Sequence, residues 1–179
     1  MWVVSAMQKT IVSQLQGGDR RSLGQANRIA ALAAKRPAIF RQLIEALWHA
    51  DPVVRMRAAD AAEKASLRNP RLLHPFKAEL LGLLAEETQP EVRWHLPLMV
   101  PRLKLASEER HRVADDLRRY LQDRGSIVRT HALQGLSDLA EQDESLRGEV
   151  VDLLRQATRT GSPAMRARAR KLLACLEHQ

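Results

Sequence analysis

The chain has 179 residues, enough for one sizeable core. Hydrophobic residues make up 45% of it but aromatics only 3%, a composition that favours closely packed helices over a large sheet sandwich. The formal net charge of +8 admits acidic partners, nucleic acid among them, while the single cysteine, Cys175, excludes an internal disulfide and a Cys/His zinc site of the usual spacing.

The opening MWVVSAMQKTIVSQLQ has no basic segment ahead of its apolar residues and reads as a helix, not a signal peptide. No stretch reaches the roughly 18 apolar residues of a membrane span, so a soluble, cytoplasmic protein is expected. Two sets of helices then alternate. The first set carries Val4, Met7, Ile11 and Leu15; then Phe40, Leu43, Ile44 and Leu47; then Leu73, Phe76, Leu80 and Leu84; then Val113, Leu117 and Leu121; and finally Leu146, Val150, Leu153 and Leu154. The second set repeats one helical face at steps of about 36 residues. That face is faint at Ser22, Ala26, Ile29, Ala30 and Ala33. It is clear at Val54, Ala58, Ala61, Ala62 and Ala65, at Val92, Leu96, Met99, Val100 and Leu103, at Val128, Ala132, Gly135, Leu136 and Leu139, and at Met165, Ala169, Leu172, Leu173 and Leu176.

Start signals precede these copies. Pro52, Pro90 and Pro163 stand where a first-turn proline costs a helix little, and Asp19, Asp51 and Ser162 precede their copies as N-caps. Ser107, followed by Glu108 and Glu109, opens another helix. Turns are expected at Gly17-Gly18, near Asn69-Pro70, at Gly125 and at Gly161. The stretch Pro90–Leu105 is unusual because Trp94, Pro97, Leu98 and Pro101 project outward from it. Pro97 and Pro101 each lack a backbone donor and should loosen the helix.

The stretch LIEALWHADPVVRMRAADAAEKA resembles a HEAT repeat: a Leu-rich helix, an Asp-Pro turn, and a second helix opening Val-Arg and continuing with Ala and Leu. TQPEVRWHLPLMVPRL, GSIVRTHALQGLSDLA and GSPAMRARARKLLACL are weaker copies, and Leu23 stands where the first copy should have arginine. The resemblance implies an all-α fold, an α-solenoid of five antiparallel helix pairs forming a right-handed superhelix with the Val-Arg helices on the concave side. One domain over residues 1–179 is expected, with repeats at 1–35, 36–68, 70–105, 106–141 and 143–179.

Two basic columns run along the repeat. Arg55, Arg93, Arg129 and Arg166 lie at the edge of the apolar face, as a ladder between neighbouring turns or a phosphate-binding stripe. Arg57, His95, His131 and Arg168 lie two residues on, as a solvated rim or a set of contacts to acidic groups. The last helix adds Arg170 and Lys171, which with Arg28 would make the concave surface basic. Between the columns, Trp94, Leu98, Met56 and Leu133 are expected to form an exposed apolar patch, and exposed apolar patches commonly bind partners.

Chemistry has little support. HEAT-like hydroxylases hold two irons with His-Glu pairs, whereas His95 and His131 precede Leu96 and Ala132. HEAT-like alkylpurine DNA glycosylases use a basic surface with aromatics and an aspartate; Trp94 and Asp60 are the available residues, but aromatics are scarce. HEAT-like bilin lyases share only the repeat. The expected function is therefore non-catalytic. The protein is read as a monomer, with no metal or cofactor, that captures a protein or peptide segment at Trp94, Leu98, Met56 and Leu133. Arg57, His95, His131 and Arg168 would meet its acidic flanks. Nucleic-acid binding through the basic columns is the alternative.

Overall fold

The computed structural model describes residues 11–17 and 22–177. These residues form a helical segment at 11–15, ten further α-helices and three 3-10 segments, with no strand among them. The fold is all-α. The expectations placed on Val4, Met7, Gly18 and Asp19 lie outside the described residues. The chain divides into two compact units, Met1–Lys77 and Ala78–Gln179.

In the first unit residues 11–15 are helical, followed by α1 (Ala26–Ala33), α2 (Pro37–Glu45), a 3-10 turn (Ala46–Trp48), α3 (Pro52–Arg68) and a 3-10 segment (Pro70–Phe76). Helix α3 is the centre. Asp51 caps it, its carboxylate accepting from the Val53 N–H at 2.8 Å, and Pro52 occupies its first turn. It packs against α1, α2 and both 3-10 segments. The small side chains of Ala58, Ala61, Ala62 and Ala65 permit close approach, and all are fully buried with Val54. Because neighbours cover more than the one face marked by periodicity, Met56, Arg57, Ala59 and Asp60 are buried as well.

Arg57 is 2% exposed and reaches back to an earlier turn. Its Nη1 donates to the carbonyls of Leu15 at 2.7 Å and Gly17 at 2.6 Å, with Gln16 at 3.3 Å, and its Nε donates to Ser22 at 2.9 Å. A helix leaves its last carbonyls without partners, and a cation there also answers the negative end of the dipole. Gly24, at φ +49°, lies against this guanidinium; a Cβ there would come 3.3 Å from Cζ.

In the second unit α4 (Lys77–Glu86, its first residue belonging to the first unit) is followed by the Pro-rich stretch, which is not one helix. It forms α5 (Pro90–Arg93), a turn at Trp94 and His95, α6 (Leu96–Met99) and a 3-10 turn (Val100–Arg102). Then come α7 (Ser107–Tyr120), α8 (Ser126–Ala140), α9 (Glu144–Thr160) and α10 (Pro163–Glu177). Helix α8 is central, packing on α6, the 3-10 turn, α7, α9 and α10.

Helix α8 also meets the carbonyls of the broken stretch. Leu98 N–H bonds to His95 and not to Trp94, and the Trp94 carbonyl accepts from His131 Nδ1. The Pro101 carbonyl accepts from Gln142 Nε2 at 2.9 Å. The Pro97 carbonyl, which Pro101 cannot serve, lies so close to Gly135 that a Cβ there would be 2.5 Å from its oxygen. Ser107 opens its helix as expected. It is the first helical residue, and Glu109 accepts from the Ala106 N–H at 2.7 Å. Asp143 is a cap that the reading overlooked. It accepts from the hydroxyls of Ser145 at 2.6 Å and Ser107 at 3.0 Å and from Arg110 Nε at 2.9 Å. The Ser145 bond first, then those of Arg110 and Ser107, hold its carboxyl well below the usual range.

Two stability measurements test this framework. Arg57→Met strands the carbonyls its guanidinium serves and should lower stability by about 3 kcal/mol in urea unfolding. At Gly135 the added methyl meets backbone, costing on the order of 3 kcal/mol. Alanine returns about 1 kcal/mol in helix propensity. Gly135→Ala should therefore lower the thermal midpoint, and a rise would show that the Pro97 carbonyl yields freely.

Candidate functional site

The expected patch divides when its members are located. Met56 and Leu133 are each 2% exposed and cannot meet a partner as drawn. Arg57 is spent on carbonyls. Pro97 and Pro101, expected outward, are buried, as are Thr130 and Ser137. The reason is common to α3 and α8: each is covered on more than one side, so the solvent stripe is narrower than a helical wheel implies, and on α8 it is rotated.

On α8 that stripe is Ile127, His131, Gln134 and Asp138, at helical spacing. Ile127 is 47% exposed, an apolar residue the sequence reading did not single out. On the preceding stretch Glu91, Trp94, His95, Leu98 and Arg102 are half-buried. On α10, Arg168, Arg170, Lys171 and Cys175 are exposed. Hydrogen bonds join these helices across one surface. The Trp94 carbonyl receives His131, fixing the Nδ1–H tautomer and leaving Nε2 as the other ring nitrogen. One turn on, Arg168 Nη1 donates to Gln134 Oε1 at 2.8 Å, and Gln134 Nε2 donates to Asp138 Oδ1 at 2.6 Å. Burial raises the Asp138 pKa above the ordinary value; the Gln134 bond lowers it, Glu141 raises it, and Arg102 and Arg168 lower it. Trp94, Leu98, His95, His131 and Arg168 are thus the expected residues that retain solvent access.

The arginine ladder is seen at Arg93. Arg93 pairs with Asp123, stacks 3.9 Å over the Tyr120 ring, and Tyr120 donates to the Leu84 carbonyl at 2.9 Å. Burial pushes the Tyr120 pKa up. Among the described residues Arg129 has neither a ring nor a carboxylate partner, and its Nε, like that of Arg93, is buried without a hydrogen bond. It lines a cavity of about 280 Å³, with Leu121 and Leu153 among the other walls. That hollow explains why those two leucines, expected inside, are only half-buried. In the first unit an open hollow of about 590 Å³ lies by Arg41, Arg71, Leu72 and Phe76, with Arg41 5.3 Å from the Phe76 ring centroid. Neither hollow carries a sequence pattern, since a void is a mismatch between side chains of separate helices.

Asp60, the acid considered for base excision, is buried and accepts from Lys64 at 2.7 Å. Among the described residues no three His, Cys, Asp or Glu side chains cluster as a metal ligand set would. Nor is any described helix long and apolar enough to cross a membrane.

No family model matches the chain, and no curated relative matches it. Among solved structures, the crystal structure of an engineered protein, a structural-genomics consortium target, is similar with a TM-score of 0.58 at 16% identity. The match covers 98% of this chain and 81% of that one, and it speaks to the fold alone.

The raised pKa of Asp138 has a sign that can be measured. A carboxylate harder to ionise when folded favours folding most when protonated, and that benefit is lost as pH rises from the unfolded value through the folded one. Asp138→Asn keeps an oxygen for Gln134 and should raise the thermal midpoint at pH 7. Near pH 3, below both values, it should change the midpoint little.

Proposed function

We propose that the chain is a HEAT-like α-solenoid of five helix pairs wound into a right-handed superhelix, and that it binds a segment of another protein without catalysing a reaction. The observation supporting this reading is the surface shared by the α5–α6 stretch, α8 and α10. There Trp94 and Leu98 offer apolar contact next to His131, which bonds the Trp94 carbonyl, Arg168 and Lys171 stand exposed on α10, and Arg168 and Asp138 are both bonded to Gln134. A segment with one bulky apolar side chain flanked by carboxylates complements that arrangement. The chemistry of catalysis needs a positioned nucleophile or acid–base pair in a pocket, and the carboxylates nearest the surface are engaged or mixed among cations.

Nucleic acid is the second reading, favoured by the net charge of +8 and by Arg166, Arg170 and Lys171 on α10, which make no ion pair among the described residues. The two separate by experiment. Peptides selected on the protein from a random library should carry Asp or Glu beside an aromatic residue or leucine. Trp94→Ala, and separately Arg168→Glu with Lys171→Glu, should weaken them by about tenfold or more, roughly 1.4 kcal/mol, with the thermal midpoint unchanged. Failure to enrich any peptide, or peptides blind to all three changes, would refute the protein-segment reading. Duplex DNA retained at near-physiological salt and weakened by the Arg168 and Lys171 changes would put nucleic acid in its place.

A further inference from the structure

Two successive arginines of one column stand in different surroundings. Arg93 has an aromatic ring beneath it, Tyr120, and a carboxylate beside it, Asp123, 30 residues further along the chain. At the matching offsets from Arg129 stand Gln156 and Arg159. The ring and the acid are both missing. What remains is the cavity of about 280 Å³, walled by Arg129, Leu133, Leu153, Gln156, Thr160 and Met165. The Nε atoms of both arginines are buried without a hydrogen-bond partner, whereas buried polar atoms normally have one; at Arg93 the ring and the acid lie beside that group, and at Arg129 the cavity does.

We infer that this cavity is a binding site for a small aromatic carboxylate. Such a molecule supplies in one piece what Tyr120 and Asp123 supply to Arg93: a π face for the guanidinium and a carboxylate for its fork of N–H donors. Leu133, Leu153 and Met165 line the apolar wall for the ring, and Gln156 and Thr160 supply polar groups. The volume lies near the lower bound of ligand pockets, which suits a single ring and its acid but not a fused polycycle. This site stands apart from the docking surface proposed above, and neither depends on the other.

The test is calorimetric titration of the full chain with phenylacetate, beside the uncharged phenylacetamide. Phenylacetate should bind saturably at one site, with a Kd on the order of 1 mM for so small a ligand. Phenylacetamide should bind at least tenfold more weakly. Arg129→Lys keeps the charge but loses the planar fork, and should weaken phenylacetate by about tenfold. The double variant Gln156→Tyr with Arg159→Asp rebuilds the Arg93 arrangement around Arg129. It should abolish binding and raise the thermal midpoint, an outcome that a collapsed fold cannot produce. Equal binding of the acid and the amide, undiminished binding to the double variant, or no saturable heat with phenylacetate would overturn the assignment.

Discussion

Backbone carbonyls without helical partners are the constraint around which both units are arranged. A buried carbonyl left unpaired costs about 1–3 kcal/mol, a large fraction of a small domain's stability. In the first unit the carbonyls of Leu15, Gln16, Gly17 and Ser22 converge on one guanidinium. In the second unit two prolines interrupt the stretch from Pro90 to Arg102, and α8 carries the complements: His131 for Trp94, Gln142 for Pro101, and at Gly135 the absence of a side chain for Pro97. Each remedy comes from a residue distant in sequence, so it ties the chain to itself as well as satisfying a group.

That constraint also sorts cations by role. Arg57 and Arg93 stand at the same helical registers as basic residues that keep solvent access, and their types alone do not distinguish them. Arg57 is held by carbonyls, and Arg93 by Tyr120 and Asp123. Arg168 keeps solvent access because its one bond runs to Gln134, itself half-buried on the α8 stripe. His131 divides its ring, with Nδ1 committed to the Trp94 carbonyl and Nε2 left over. A column of basic residues at repeat spacing is therefore a mixture, some bonded to the backbone and some facing solvent.

The inner face of the second-set helices was legible, Ser22 and Leu173 apart, because burial on one side imposes a period, and Val92, Leu96, Met99, Val100 and Leu103 are all buried. The break at Pro97 and Pro101 was legible for a local reason too, since a missing N–H acts within its own turn. Met56 and Leu133 were not. Periodicity marks a buried face but not its width, and helices covered on several sides bury residues that a wheel projects outward. Arg57 was illegible because its partners lie 35 to 42 residues away, in a turn whose carbonyls leave no trace in side-chain pattern. Asp143 was legible in principle: an Asp two residues before a serine, opening a helix, is a cap signature that passed unremarked.

Repeats make one further kind of reading available. Copies of a unit share a template, so a residue retained in one copy without its companions is informative in a way that a lone residue is not. Arg93 shows what the template can do with an arginine at that register: a ring to lie on and an acid to hold. Arg129 keeps the register and has neither. A buried Nε without a partner costs stability at either arginine, and only Arg93 has a ring and an acid beside it to offset that cost. A smaller apolar residue would fill the space better, and repeats that drift under packing alone should arrive at one. The cavity lies where Gln156 stands at the offset that Tyr120 holds from Arg93, so one arginine has a ring beside it and the other has open space.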